Sequence, residues 1–139
     1  GFDYPAGTLS DAAQEALRLA KADEYNAQAF YQAVLGKYGQ VRPFSMIIRA
    51  EEQHIAMLKA LFDKYGMTVP ENTVLAQTVP DTVSAACQTG VEAEQVNAAL
   101  YREKLMPVVS NYPDITNVFT KLMDASQERH LPAFERCRS

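Results

Sequence analysis

Tryptophan is absent from this chain of 139 residues, and histidine and cysteine occur only twice each. Uninterrupted apolar runs last a few residues at most, which excludes a membrane-spanning helix of about 20 apolar positions. A cationic excess is lacking too: 13 Lys and Arg stand against 17 Asp and Glu, for a formal net charge of −4. Without a positive face, the chain is unsuited to sheathing nucleic acid or to a polybasic membrane surface. Useful strand alternation and simple short repeats are also missing. Hydrophobic residues at 47% and charged residues at 22% exclude intrinsic disorder. The length makes one domain, 1–139, with no room for a second of ordinary size. The opening GFDYPAGTLS has neither a basic start nor an apolar core, so no signal peptide is read there; whether one preceded the segment stays open.

What is present is helical periodicity, in four segments of about 11–38, 43–65, 81–105 and 113–137. The first is capped by Ser10-Asp11 and carries Ala13, Leu17, Ala20, Glu24, Ala27, Tyr31 and Val34 at alternating spacings of 4 and 3. The second opens on Pro43, stops at Tyr65-Gly66, and its stripe reads Phe44, Ile47, Glu51, His54, Leu58, Leu61 and Tyr65. Val83, Cys87, Gly90, Glu94, Asn97 and Tyr101 line the third, which Pro107 ends or kinks. The fourth is read with Thr116, Thr120, Met123, Gln127, His130, Phe134 and Cys137 inward. Residues 66–80 read as a surface loop. Short connections near 39–42 and 106–112 predict an all-α, antiparallel, up-down-up-down four-helix bundle, with the third helix parallel to the first.

Charge on an inward stripe needs an explanation, because an unpaired buried carboxylate costs several kcal/mol. Glu24, Glu51, His54, Glu94, Gln127 and His130 all interrupt the stripes, and their positions along the helices allow them to meet in the middle third of the bundle. Glu51 and His54 form a Glu-x-x-His motif, with carboxylate and imidazole on adjacent turns of one face. One Glu from each of two helices plus two such motifs is the ligand set of di-iron and di-manganese carboxylate bundles of the ferritin-like type. Five of the six ligands are in place. At the sixth stands the neutral Gln127, while Glu128 lies about 200° around the helix from His130. Three carboxylates then face two divalent ions, so the second metal binds more weakly or needs a bridging hydroxide or outside ligand. Pro132 removes an amide donor and crowds the Glu128 carbonyl, which predicts a kink or π-bulge able to swing Glu128 inward.

Blander readings stand beside this one. Glu24 and Glu94 can be half-exposed partners of Arg18, Arg49 or Lys104, or the site can be an empty, hydrogen-bonded remnant. Both histidines landing on inward stripes at matching heights favours metal. Tyr31 and Tyr101 each follow a site glutamate by seven residues; they are either core fillers or hydrogen-bond and redox partners of the ligands. Gln28 and Asn97 are candidates for orienting the carboxylates.

The stretches DEYNAQAFYQAVLGKYG (23–39), AEEQHIAMLKALFDKYGM (50–67) and SQERHLPAF (126–134) resemble an uncharacterised ferritin-like family of small prokaryotic proteins. By motif, Glu24, Glu51, His54 and His130 fall on that family's positions, and Glu94 is placed through Gly90 and its spacing. The resemblance implies a ferritin-like bundle with a dimetal site, and oxygen or peroxide chemistry or iron handling. The metal is most naturally iron, with manganese and zinc also suited to Glu/His ligation. Gln127 and Pro132 depart from the pattern and weaken the case for the second metal and for two-electron oxygen chemistry. A metal-free structural or interaction bundle is the competing expectation. Metal ions are the partners implied, and a homodimer through the outer faces is compatible with such a bundle.

Cys87 precedes Glu94 by seven residues and Cys137 follows His130 by seven. On antiparallel neighbours these offsets set the sulfurs at one height, as either a disulfide or two buried thiols. A bridge closing about 50 residues contributes roughly 4 kcal/mol and implies an oxidising compartment, hence export; reduced thiols imply the cytosol.

Overall fold

The computed structural model describes residues 8–75 and 77–138; the opening seven residues, on which the signal-peptide reading rests, lie outside them. The described residues are all-α, with no strand, and form a four-helix bundle. Helix α1 (Asp11–Tyr38) starts where the Ser10 hydroxyl accepts from the Ala13 amide, and ends at Gly39, whose φ of 82° suits glycine. Helix α2 (Phe44–Lys64) is closed by Gly66 at φ 66°, with the Met67 amide bonding back to the Phe62 carbonyl. Helix α3 (Val83–Leu100) is capped by the Thr82 hydroxyl. It continues through a π turn (Tyr101–Leu105) and a 3-10 turn (Met106–Val109) that holds Pro107. The fourth rod is α4 (Pro113–Ala125), a second π turn (Ser126–His130) and α5 (Leu131–Cys137). No helix among the described residues is long and apolar enough to cross a membrane.

Both π turns have one cause. In each, the residue before a proline bonds five residues back, Met106 to the Tyr101 carbonyl and Leu131 to the Ser126 carbonyl. Pro107 and Pro132 follow immediately, where their rings would crowd a regular helical turn. The bulge expected at Pro132 is therefore present. It also corrects the stripe of the fourth rod. A π turn inserts one residue, so a pattern traced back from His130 at 3.6-residue spacing lands one position late. Ile115, Phe119, Leu122 and Ser126 are buried, whereas Thr116, Thr120, Met123 and Gln127 are only half-buried.

The core is two apolar clusters. One gathers Leu17, Ala20, Leu58, Leu61, Tyr101 and Phe119; the other gathers Phe30, Tyr31, Phe44, Cys87, Val91 and Phe134. Along α1 and the fourth rod the first cluster comes first, while α2 and α3 run from the second cluster to the first. Helix α3 therefore runs opposite to α1, and the expected up-down-up-down order is corrected to up-down-down-up. The described residues between α2 and α3 (67–75 and 77–82) are not a reversal but a crossover that climbs beside α1. Tyr25 contacts the Pro70 carbonyl, and Tyr38, farther along α1, donates to the Pro80 carbonyl at 2.5 Å.

The bridge between Cys87 and Cys137 is formed, with Cα atoms 5.8 Å apart. It ties α3 to α5 within the second cluster. Gly90, one turn along α3, admits the Phe134 ring: a Cβ there would lie 2.7 Å from it.

Candidate metal centre

Between the two apolar clusters lies a polar layer. Glu24, Glu51, Glu94 and His130 are each at most 4% exposed and His54 is 9% exposed. All five lie on the middle turns of their rods, where the stripes place them. Their ligand atoms fall into two groups, Glu24–Glu51–His54 and Glu51–Glu94–His130, each with its atoms within 4.8 Å of one another. Glu51 is common to both. Its Oε2 lies 3.9 Å from His54 Nδ1, which is also 3.9 Å from Glu24 Oε2. Its Oε1 lies 3.7 Å from His130 Nδ1, which is 3.1 Å from Glu94 Oε1. The two imidazoles are stacked, with centroids 5.8 Å apart.

Tyr31 donates to Glu94 Oε1 at 2.8 Å and Tyr101 to Glu24 Oε1 at 3.0 Å. The tyrosines thus fill the flanking clusters with their rings and fix the carboxylates with their hydroxyls. Glu51 Oε2, by contrast, is buried without a hydrogen-bond partner. An unmet buried carboxylate oxygen is costly, and here it points into a group that already holds a carboxylate and an imidazole.

The electrostatics run the same way. Burial raises the carboxyls of Glu24 and Glu51 above the usual carboxylate range, and neighbouring carboxylates push further, Glu24 acting on Glu51 and Asp23 and Glu94 on both. Burial, reinforced by His130, lowers His54 to about 4, so its imidazole is neutral at neutral pH. A neutral imidazole at His54 is the form a divalent cation requires of a histidine ligand, and a cation bound among these crowded carboxyls would relieve their mutual repulsion and hold them ionised. The residues present therefore fit a metal.

Three expectations change. Glu128 is exposed and joins neither group, and Gln127 is only half-buried; Ser126 fills the inward position instead, donating to the side-chain amide oxygen Oδ1 of Asn97. Asn97 in turn donates to Asp23, not to a site glutamate. Gln28 is half-buried on α1, and no hydrogen bond joins it to a site carboxylate among the described residues.

Asp23, whose carboxyl burial also raises, was not legible as a site neighbour, since it adjoins Glu24 off the stripe. Lys21 is fully buried and donates to Tyr25 at 2.6 Å, and burial and Lys59 lower it to about 8. No pattern in the sequence marks it. Two clefts flank the layer. One, of about 360 Å³, is lined by Asp23, Glu92, Glu94 and Asn97 on the α1–α3 side. The other, of about 610 Å³, reaches His54 and His130 between α2 and the fourth rod.

No family model matches the chain, and no curated protein matches it. Among solved structures it is similar to a hypothetical protein of Methanococcus jannaschii, with a TM-score of 0.83. The two are 22% identical, over 98% of this chain and 85% of that one. At that identity the likeness shows the fold alone.

Proposed function

We propose that the chain is a single antiparallel, ferritin-like domain whose mid-bundle cluster binds one or two transition-metal ions. Iron is the first candidate, and peroxide or oxygen redox or metal handling is the work. The observation that carries this reading is the division of Glu51, one oxygen toward Glu24 and His54 and the other toward Glu94 and His130. A carboxylate so placed can bridge two ions, with one glutamate and one histidine completing each group. The arrangement of rods supports it, because contacts such as Glu24–His54, Tyr31–Glu94, Glu94–His130 and Glu51–His130 each join rods of opposite direction.

A bound transition metal would supply an electrophilic, redox-active centre. The protein's own residues do the rest. Tyr31 and Tyr101 hold Glu94 and Glu24 in place, neutral His54 offers its lone pair, and the apolar clusters above and below exclude water. Three carboxylates leave two divalent ions with an excess of one positive charge. The second ion is therefore the weaker, and binding without turnover competes with redox. A metal-free structural bundle is the rival reading, and it requires Glu24 and Glu51 to share a proton so that Glu51 Oε2 is not left buried without a donor.

The test is metal analysis of protein grown with iron, together with anomalous scattering at the iron edge. Metal at mid-bundle, lost in Glu51→Ala and His54→Ala, is the expected result; its absence overturns the reading. Stopped-flow spectra with hydrogen peroxide then separate redox from storage.

A further inference from the structure

The cleft of about 610 Å³ between α2 and the fourth rod has a composition unlike the rest of the molecule. Although the chain is acidic overall, no Asp or Glu lines this cleft, while Arg42, Arg129 and Arg136 all do. None of the three forms an ion pair with a carboxylate of the described residues. The walls between them are apolar, with Ile47, Ala50 and Ala133, and Met46 stands 56% exposed. The inner end is formed by His54 and His130. On the opposite side of the polar layer, the smaller cleft carries Asp23, Glu92 and Glu94. The two faces of the centre thus differ in sign.

We propose that the arginine-lined cleft binds a small amphipathic anion, with an oxyanion head and a short apolar body, and presents it to the two histidines. Unpaired guanidiniums are matched by carboxylate or phosphate oxygens, which they bind through paired N–H donors. The apolar walls bury the body, and the cleft volume is in the range of small-molecule sites. A neutral solute gains nothing from the arginines, and a cation is repelled by them. The metal reading gives this ligand its role, as the molecule brought to the centre, but the binding itself rests on the cleft.

The experiment is a calorimetric titration of octanoate, octyl phosphate and 1-octanol into metal-free and metal-loaded protein. Binding of octanoate or octyl phosphate is expected in both forms, with 1-octanol about tenfold or more weaker. The tighter of the two anions identifies the head group. Arg129→Gln with Arg136→Gln should weaken binding about tenfold or more, and so should Met46→Glu, which sets a negative charge at an exposed cleft position. Arg102→Gln, exposed and outside the cleft, should change nothing. Equal affinity for 1-octanol, indifference to the cleft substitutions, or no anion binding in either form would overturn the proposal. A chain that takes up octanoate but no metal sinks only the metal reading; one that takes up metal but neither anion sinks only this one.

Discussion

The Tyr31 hydroxyl donates a 2.8 Å hydrogen bond to Glu94, on a rod that runs the other way. Tyr101 returns the same bond to Glu24 at 3.0 Å. Each tyrosine follows one site glutamate by seven residues and serves the other. The crossed pair locks the spacing of α1 and α3 at the level of the cluster, and each apolar cluster contributes one of the two donors.

Tyr31→Phe and Tyr101→Phe should therefore keep the packing and lose the orientation. Each removes a donor from a buried carboxylate, at about 1–3 kcal/mol of stability, and should weaken metal binding about 10–100-fold. Chemical denaturation and metal titration of the two variants check this. Unchanged metal affinity would show that the tyrosines serve only as core.

The crowding of carboxylates predicts a site that destabilises its own metal-free fold. The folded-state values of Glu24 and Glu51 are raised, so their protonated forms fit the fold better than their ionised forms. Metal-free stability attributable to them is fully present below about pH 4.5 and is lost as pH rises through the raised values. His54 acts oppositely. Its value is about 4 when folded against 6.5 when not, so its contribution is full above 6.5 and is lost as pH falls toward 4. Glu51→Gln should stabilise the metal-free protein at pH 7 by on the order of 1 kcal/mol or more while removing metal binding. His54→Gln should flatten the loss between pH 6.5 and 4. Denaturation midpoints across pH, with and without metal, decide it; a Glu51→Gln protein that is less stable at pH 7 would contradict the argument.

Much of this was legible because periodicity and charge were at odds. Glu24, Glu51, His54 and Glu94 stand where only apolar residues belong, and three of the four stripes are regular up to the cluster. Two things were not legible. The direction of α3 depends on whether residues 67–82 turn back or cross over, and a loop rich in proline and threonine reads alike in either case. The fourth stripe failed between Ile115 and Ser126 because a π turn adds a residue without altering composition. Pro132 marked the bulge but not its consequence, so Gln127 was placed inward where Ser126 stands.

The bridge from Cys87 to Cys137 closes a separation of 50 residues and joins α3 to the end of the fourth rod. Intact protein measured without reductant should be lighter than the reduced chain by two hydrogens. Reduction, or Cys87→Ala with Cys137→Ala, should lower stability by roughly 4 kcal/mol in the chain-entropy account. Metal affinity should fall less than in the tyrosine variants, since the bridge lies two turns from the nearest ligand. Two free thiols in protein purified under air would refute the bridge.

Gly90 carries the sharpest packing prediction. A methyl at its Cβ position would come within 2.8 Å of three atoms of the Phe134 ring. That ring cannot retreat, because it is fully buried with Tyr31 at 5.4 Å and Phe44 at 5.0 Å between centroids. Gly90→Ala would ordinarily gain helix stability, yet here overpacking should cost about 1–3 kcal/mol net. The displaced ring presses on Tyr31, so the bond to Glu94 should loosen and metal affinity fall with stability. Restoring space with Phe134→Leu in the Gly90→Ala background should recover part of both losses, whereas Phe134→Leu alone leaves a cavity and destabilises. A double-mutant cycle measures the coupling directly, and purely additive effects would show that Gly90 is not there to admit the ring.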